Sequence, residues 1–207
     1  MNPKIKAIIF DLDGVLIDAV SVHYDAFITA LEPHGHYISP EEHDLHYNGL
    51  PTIRKLELMT EKLGLDPSLY DSIQASKQAS TQTLLDARCT PCPNKLGMMA
   101  SLKEEGYMLA CCSNSIRATL DRTLTNTELM PFLDLTISCQ EVAKPKPAPD
   151  IYLQAFQRLN VQASQAVIVE DSPIGITSAE ASGAHVCRVT GFEDVDFPMI
   201  QTFLSAI

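Results

Sequence analysis

The sequence predicts an α/β fold, a Rossmann-like doubly wound parallel sheet with an α-helical module inserted after its first strand. Three observations carry that expectation. Short apolar runs stop abruptly at polar residues, helical patterns alternate with them through the second half, and the stretch from Ser21 to Asp86 holds helix signals without a convincing strand. With 207 residues, 45% of them apolar, the chain has the material for a substantial core.

The first run, Ile5 with Ala7 to Phe10, is almost continuously apolar and ends at Asp11, which fits a strand buried on both faces. Comparable runs recur at Tyr107 to Cys112, Leu135 to Cys139, Ala166 to Val169 and Ala184 to Val189. Helical patterns fill the intervals at Lys95 to Glu105, Ser115 to Leu124, Pro149 to Leu159 and Ile174 to Ser182, the last stopped by Gly183. In the inserted stretch, Tyr24, Phe27, Ile28 and Leu31 share one helical face. Ser39-Pro40-Glu41-Glu42 is a capping box with proline at the first helical position. Ile53, Leu56, Met59 and Leu63 form another stripe closed by Gly64, and Asp66-Pro67 opens a fourth helix toward Leu85. The expected organisation is a core of residues 1–17 and 88–207 with a helical cap domain of residues 18–87. The segment 18–20 and the proline-rich stretch 89–94 serve as linkers.

Composition excludes several classes. The formal net charge is -11, with 15 basic against 26 acidic residues, so the chain's own field opposes a non-specific grip on nucleic acid. No apolar run approaches the roughly 18 residues of a membrane-spanning helix. The apolar run after Lys4 and Lys6 is too short for a signal-peptide core, so a cytoplasmic protein is expected. The six cysteines are scattered and read as small buried hydrophobes; Cys89-Thr-Pro-Cys92 lacks the further ligands of a zinc site. A monomer is the default expectation.

Chemistry-bearing residues follow the strands. After the first comes Asp11-Leu12-Asp13-Gly14; then Ser113-Asn114-Ser115, Lys144-Pro-Lys146-Pro, and Glu170-Asp171-Ser172. In open parallel sheets ligands bind at the carboxyl ends of the strands, so these four groups are expected to converge. Each alone has a plainer reading as a turn, a helix cap or a solvated loop. A calcium loop fails because Val15 and Val22 stand where oxygen ligands belong. Together the residues suit phosphoryl transfer. Asp11 can attack phosphorus and form an aspartyl phosphate. Mg²⁺ takes carboxylate oxygens, which Asp11, Glu170 and Asp171 can supply. Lys146, Ser113 and the amides at Asn114 can hold the phosphoryl oxygens. Asp13 is placed to protonate the leaving oxygen and later to deprotonate water.

At these residues the sequence resembles the haloacid dehalogenase superfamily, in its branch of small phosphatases and β-phosphoglucomutase-like proteins. The matching motifs are Phe10-Asp11-Leu12-Asp13-Gly14-Val15, Ser113-Asn114, Lys146-Pro-Ala-Pro-Asp150, and Val169-Glu170-Asp171-Ser172 with Gly175-Ile176. The resemblance implies Asp11 as nucleophile and Mg²⁺ ligand, and Asp13 as acid/base that lends its backbone carbonyl to the metal. It also implies Ser113 as a phosphate contact, Lys146 as the stabilising cation, and Glu170 and Asp171 as the rest of the metal site. Lys146 is preferred to Lys144 because it directly precedes Pro-x-Pro-Asp. The helical insert would be a mobile cap that excludes water and selects the substrate, with His23 and Lys77 as its substrate contacts. His34, His36, His43 and His46 read as surface polar groups.

The expected function is a Mg²⁺-dependent phosphatase of a small phosphorylated metabolite, with no nucleic-acid or membrane partner. A phosphosugar mutase is the alternative. Thr52 stands where mutase relatives carry an arginine for the second phosphate, and Ala19 replaces their hinge threonine, which favours hydrolysis. A receiver-like phosphoacceptor domain is the alternative of another class; such domains need neither Asp13 nor a helical cap.

Overall fold

Residues Ala7–Phe10 form strand β1, and all four are buried. A strand covered on both faces has no solvent side on which to place polar residues, which is why the run is continuously apolar. A computed structural model describes residues 4–207; Met1, Asn2 and Pro3, part of the N-terminal stretch considered for a leader, lie outside the described residues. Strand β2 is Met108–Ser113, β3 Leu135–Ser138, β4 Ala166–Glu170 and β5 His185–Arg188, all parallel in the order β3-β2-β1-β4-β5. The chain moves outward from β1 through β2 to β3 and then returns to β1's other side for β4. The reversal leaves a crevice at the carboxyl end of β1, with β2 on one flank and β4 on the other.

Side-chain alternation along β1 sends Ala7 and Ile9 to one face of the sheet. There they pack with Ala110, Ile137 and Ile168 against helix α7 (Asp150–Leu159) and α8 (Pro173–Ser182), through Ile151, Tyr152, Ala155, Phe156 and Ala179. Helix α5 (Pro93–Glu104) packs on β2 and on α9 (Phe197–Ser205), and α6 (Arg117–Asn126) packs on β3. The sequence reading did not anticipate α9, whose N-cap Asp196 accepts from the Met199 amide. Its approach is held by Lys95, a buried lysine of α5 that donates to the carbonyls of Phe192 and Val195 and lies 4.1 Å from the Phe192 ring centroid. All six cysteines are free. Burial pushes the thiol of Cys112 up to about 12 and that of Cys187 up to about 11, so both are inert fillers.

The chain divides into two compact units, one of residues up to Asp18 with Thr90–Ile207, the other Ala19–Cys89. The second is wholly helical: α1 (Val20–Leu31), α2 (Pro40–His46), α3 (Thr52–Leu63) and α4 (Tyr70–Arg88). Its core joins Phe27, Leu31, Ile38, Leu56, Met59, Leu65 and Ile73. The Ser39 capping box is present with both reciprocal hydrogen bonds. Asp66 caps a single 3-10 turn, Pro67–Leu69, and α4 begins after it.

Two expectations about local roles are corrected. Ser113-Asn114-Ser115 does not cap α6, whose N-cap is Ile116 without a side-chain hydrogen bond; the Ser113 hydroxyl accepts instead from the Ser115 amide at 2.9 Å. His43 is not a surface group. It is 1% exposed, and its Nε2 lies 2.9 Å from Nζ of the equally buried Lys55. Burial, then the positive charges of Lys55, His23 and Lys77, pull its pKa down to about 3, so it stays neutral and accepts from the ammonium. The helical period placed His43 on α2, but it could not tell which face the other helices would cover.

An imidazole held neutral in the fold but protonated below about 6.5 when unfolded removes stability as pH falls. The contribution is complete above pH 6.5 and declines toward pH 3. Urea midpoints of wild type and His43→Gln are expected to converge as pH is lowered from 7 to 4; a pH-independent gap would contradict the assignment.

Candidate active site

The sheet fixes the first carboxylate. Asp11 follows β1 directly, and its amide continues the ladder by donating to the Val169 carbonyl at 3.0 Å. On one flank β4 ends in Glu170, fully buried; on the other β2 ends in Ser113, also buried. Beyond β3, the 3-10 turn Cys139–Glu141 leads into the loop that carries Lys146, itself only 3% exposed. Its ammonium donates to Asp11 Oδ1 at 2.6 Å and to Glu170 Oε1 at 2.5 Å. Lys144 lies exposed in the same loop.

Glu170 is held on both oxygens. Oε1 also accepts from the Tyr152 hydroxyl at 2.9 Å, while Oε2 accepts from the amides of Asp171 and Ser172 and from the Ser172 hydroxyl. Two glycines make room for these acids. A Cβ at Gly175 would overlap the Glu170 carboxylate, and one at Gly14 would overlap that of Asp171. Gly14 also adopts φ +85°, a conformation that L side chains rarely take.

Ligand oxygens of Asp11, Glu170 and Asp171 lie within 4.8 Å of one another. Asp171 Oδ1 is buried and, among the described residues, has no hydrogen-bond partner. A hard divalent cation satisfies such an oxygen, and an all-carboxylate donor set suits Mg²⁺ better than a soft metal. The residues therefore fit the metal expected here. Glu170 belongs to the cluster, but its existing hydrogen bonds leave Asp11 and Asp171 the more available ligands.

The electrostatics are those of surplus negative charge. Burial and then the Glu170 carboxylate raise Asp11 well above the usual range, against the opposing pull of Lys146. Burial and Glu170 likewise raise Asp171 to about 6. For Lys146, burial favours the neutral amine, but Asp11 and Glu170 outweigh it and hold the ammonium charged.

The other expected residues are placed as follows. Asp13 lies two residues beyond Asp11, and its Oδ2 accepts from the Ser115 hydroxyl at 3.3 Å. The Asn114 side chain faces the Lys146 backbone. In the helical unit, Lys77 Nζ and His23 Nδ1 are 3.4 Å apart, so α1 and α4 bring those two residues together. Sequence reasoning missed Tyr152 as part of the site, and it gave Gly175 as part of a motif without its role of leaving room for Glu170. A tyrosine two residues past Asp150 reads as core on an amphipathic helix, and only the fold shows its hydroxyl meeting Glu170.

A five-stranded parallel sheet whose central strand leads into a carboxylate, bridged through a buried lysine to a second, with a third beside them, defines an α/β enzyme with an acidic site at the strand ends. The chain belongs to the haloacid dehalogenase-like hydrolases, whose family model matches residues 8–189, and it is an enzyme of the phosphoric monoester hydrolase type. Among curated relatives it is 28% identical to the phosphorylated carbohydrates phosphatase of Thermotoga maritima, covering 86% of this chain and 82% of that one. It is 29% identical to the fructose-1-phosphate phosphatase of Escherichia coli, covering 88% and 95%. Its fold is also that of β-phosphoglucomutase from Clostridium difficile, with TM-score 0.83, 20% identity and 98% of each chain covered. The family match displaces the receiver-like reading.

Gly14→Ala is expected to cost about 1–2 kcal/mol from the left-handed backbone alone and to displace Asp171 as well. Urea unfolding would measure the first effect and loss of phosphatase turnover the second; an alanine variant with both unchanged would refute the close approach.

Proposed function

We propose that the chain is a Mg²⁺-dependent phosphatase of small phosphorylated metabolites, of the sugar-phosphate class, working through an aspartyl phosphate on Asp11. The observation that carries this reading is the Lys146 ammonium bridging Asp11 and Glu170, with Asp171 at the same point. Such a site is costly to bury unless it serves a substrate that brings its own negative charge together with a cation. The substrate class is supported by the two curated relatives, which are named for phosphorylated carbohydrates and for fructose 1-phosphate.

In the proposed reaction an Asp11 oxygen forms a bond to phosphorus as the bond to the leaving oxygen breaks, and Asp13 gives that oxygen its proton. Ser115, donating to Asp13, keeps the carboxyl turned to this task. Lys146, the Ser113 hydroxyl and the Asn114 backbone amide hold the three phosphoryl oxygens as charge shifts between them. Asp13, now ionised, takes a proton from water, which attacks phosphorus and frees Asp11 and inorganic phosphate. A divalent cation held by Asp11, Asp171 and the Asp13 carbonyl would offset the surplus negative charge and keep Asp11 ionised. In this scheme the helical unit is the specificity-setting cap, with His23 and Lys77 as its substrate contacts. Hydrolysis is preferred to mutase chemistry because Arg54, the remaining candidate for a second-phosphate anchor on α3, is exposed and paired with Glu57.

Phosphate release from an aryl phosphate is expected to vanish with EDTA, return with Mg²⁺, and fall by at least about three orders of magnitude in Asp11→Asn, as when other covalent nucleophiles are removed. Retained turnover in Asp11→Asn would end the aspartyl-phosphate account. Net conversion of a hexose 1-phosphate to the 6-phosphate, with its bisphosphate present, would favour the mutase instead.

Protonation of Asp171 competes with the metal. Because its pKa stands at about 6 in the metal-free protein, Mg²⁺ affinity should weaken progressively as pH falls through that value. Calorimetric titration at pH 7.5 and 5.5 measures the change, and equal affinities would contradict it.

A further inference from the structure

We propose that Asn114 and Tyr152 are positioning residues for Lys146, a role that rests on the phosphatase reading and assigns the Asn114 side chain to the enzyme's own lysine, not to substrate. The Asn114 amide engages both polar groups of one backbone residue. Its Nδ2 donates to the Lys146 carbonyl at 3.2 Å, and its Oδ1 accepts from the Lys146 amide at 3.0 Å. Reversing the side-chain amide would set donor against donor and acceptor against acceptor, so the geometry is specific. It ties the end of β2 to the loop after β3 at the residue whose side chain enters the site.

Tyr152 acts on the other end of the same lysine. Its wholly buried hydroxyl donates to Glu170 Oε1, the oxygen that also accepts from the Lys146 ammonium. Its ring centroid lies 5.0 Å from that ammonium, close enough for a favourable cation–π contact. With Oε2 fixed by Asp171 and Ser172, the tyrosine leaves Glu170 one orientation and the ammonium one place to sit. A free lysine side chain carries about 2 kcal/mol of rotamer entropy. Here that cost is met on folding, before substrate arrives, and the cation needs no reorganisation as charge develops. A displacement of about 1 Å at such a group can cost up to about 10²-fold in rate.

The test uses the full chain. Tyr152→Phe keeps the ring and removes only the hydroxyl; Asn114→Ala removes both backbone contacts. With an aryl phosphate as substrate, each is expected to lower kcat by about 10-fold or more while KM stays within about 3-fold, the signature of lost placement rather than lost binding. In a Lys146→Met background neither substitution should lower kcat further, because each acts through the lysine. A second readout needs no turnover: acetic anhydride labelling followed by mass spectrometry, with exposed Lys144 as internal reference. Lys146 should label more slowly than Lys144 in wild type and several-fold faster in each variant. The proposal is overturned by unchanged kcat in Tyr152→Phe, by a rise in KM alone in Asn114→Ala, by full additivity with Lys146→Met, or by unchanged labelling. If Asn114→Ala misfolds, Tyr152→Phe decides. If wild type releases no phosphate, the phosphatase reading fails, and the labelling still judges the positioning.

Discussion

A single ammonium shared by two buried carboxylates organises this molecule. Removing one member of a buried ion pair typically costs about 3–5 kcal/mol, because its partner is left charged and unsolvated. Here the residues joined come from three separated parts of the chain: Asp11 after β1, Lys146 in the loop after β3, and Glu170 at the end of β4. The contact therefore works as a tertiary lock at the proposed reactive centre, and it explains why neighbouring positions are constrained. Gly14 and Gly175 are small because carboxylates occupy the space a side chain would take.

Much of this was legible in the sequence because parallel sheets write themselves plainly. Doubly covered strands read as continuous apolar runs, and a polar residue at each carboxyl end has one crevice to face. Asp11, Asp13, Ser113, Lys146, Glu170 and Asp171 were singled out as candidates that way, and the preference for Lys146 over Lys144 rested on the motif alone. What periodicity could not supply was the identity of partners across layers. His43 looked like one of several surface histidines until its face of α2 proved covered, and Lys95 gave no sign that it would bind two carbonyls near α9. Tyr152 and Asn114 belong to the same category. Their chemistry depends on who sits opposite, and the spacing of residues along one element does not encode that.

The helical unit shows a different economy. It has its own hydrophobic core and its own buried polar pair, Lys55 with His43, so its interior is specified independently of the sheet.

The position of β1 has a consequence for how the chain reaches this state. It lies at the middle of the sheet, yet its first hydrogen-bonded partner begins at Met108 and its second at Ala166. During synthesis the central strand must wait, apolar on both faces, while the whole helical unit emerges between it and β2. Contacts so distant in sequence make folding slow and leave an exposed strand vulnerable to aggregation. The helical unit packs its first helix, α1, along its last, α4, and so holds its two ends, Ala19 and Cys89, on neighbouring helices, which shortens the loop that β1 and β2 must close. The insert thus bears on folding through the chain it places between two paired strands.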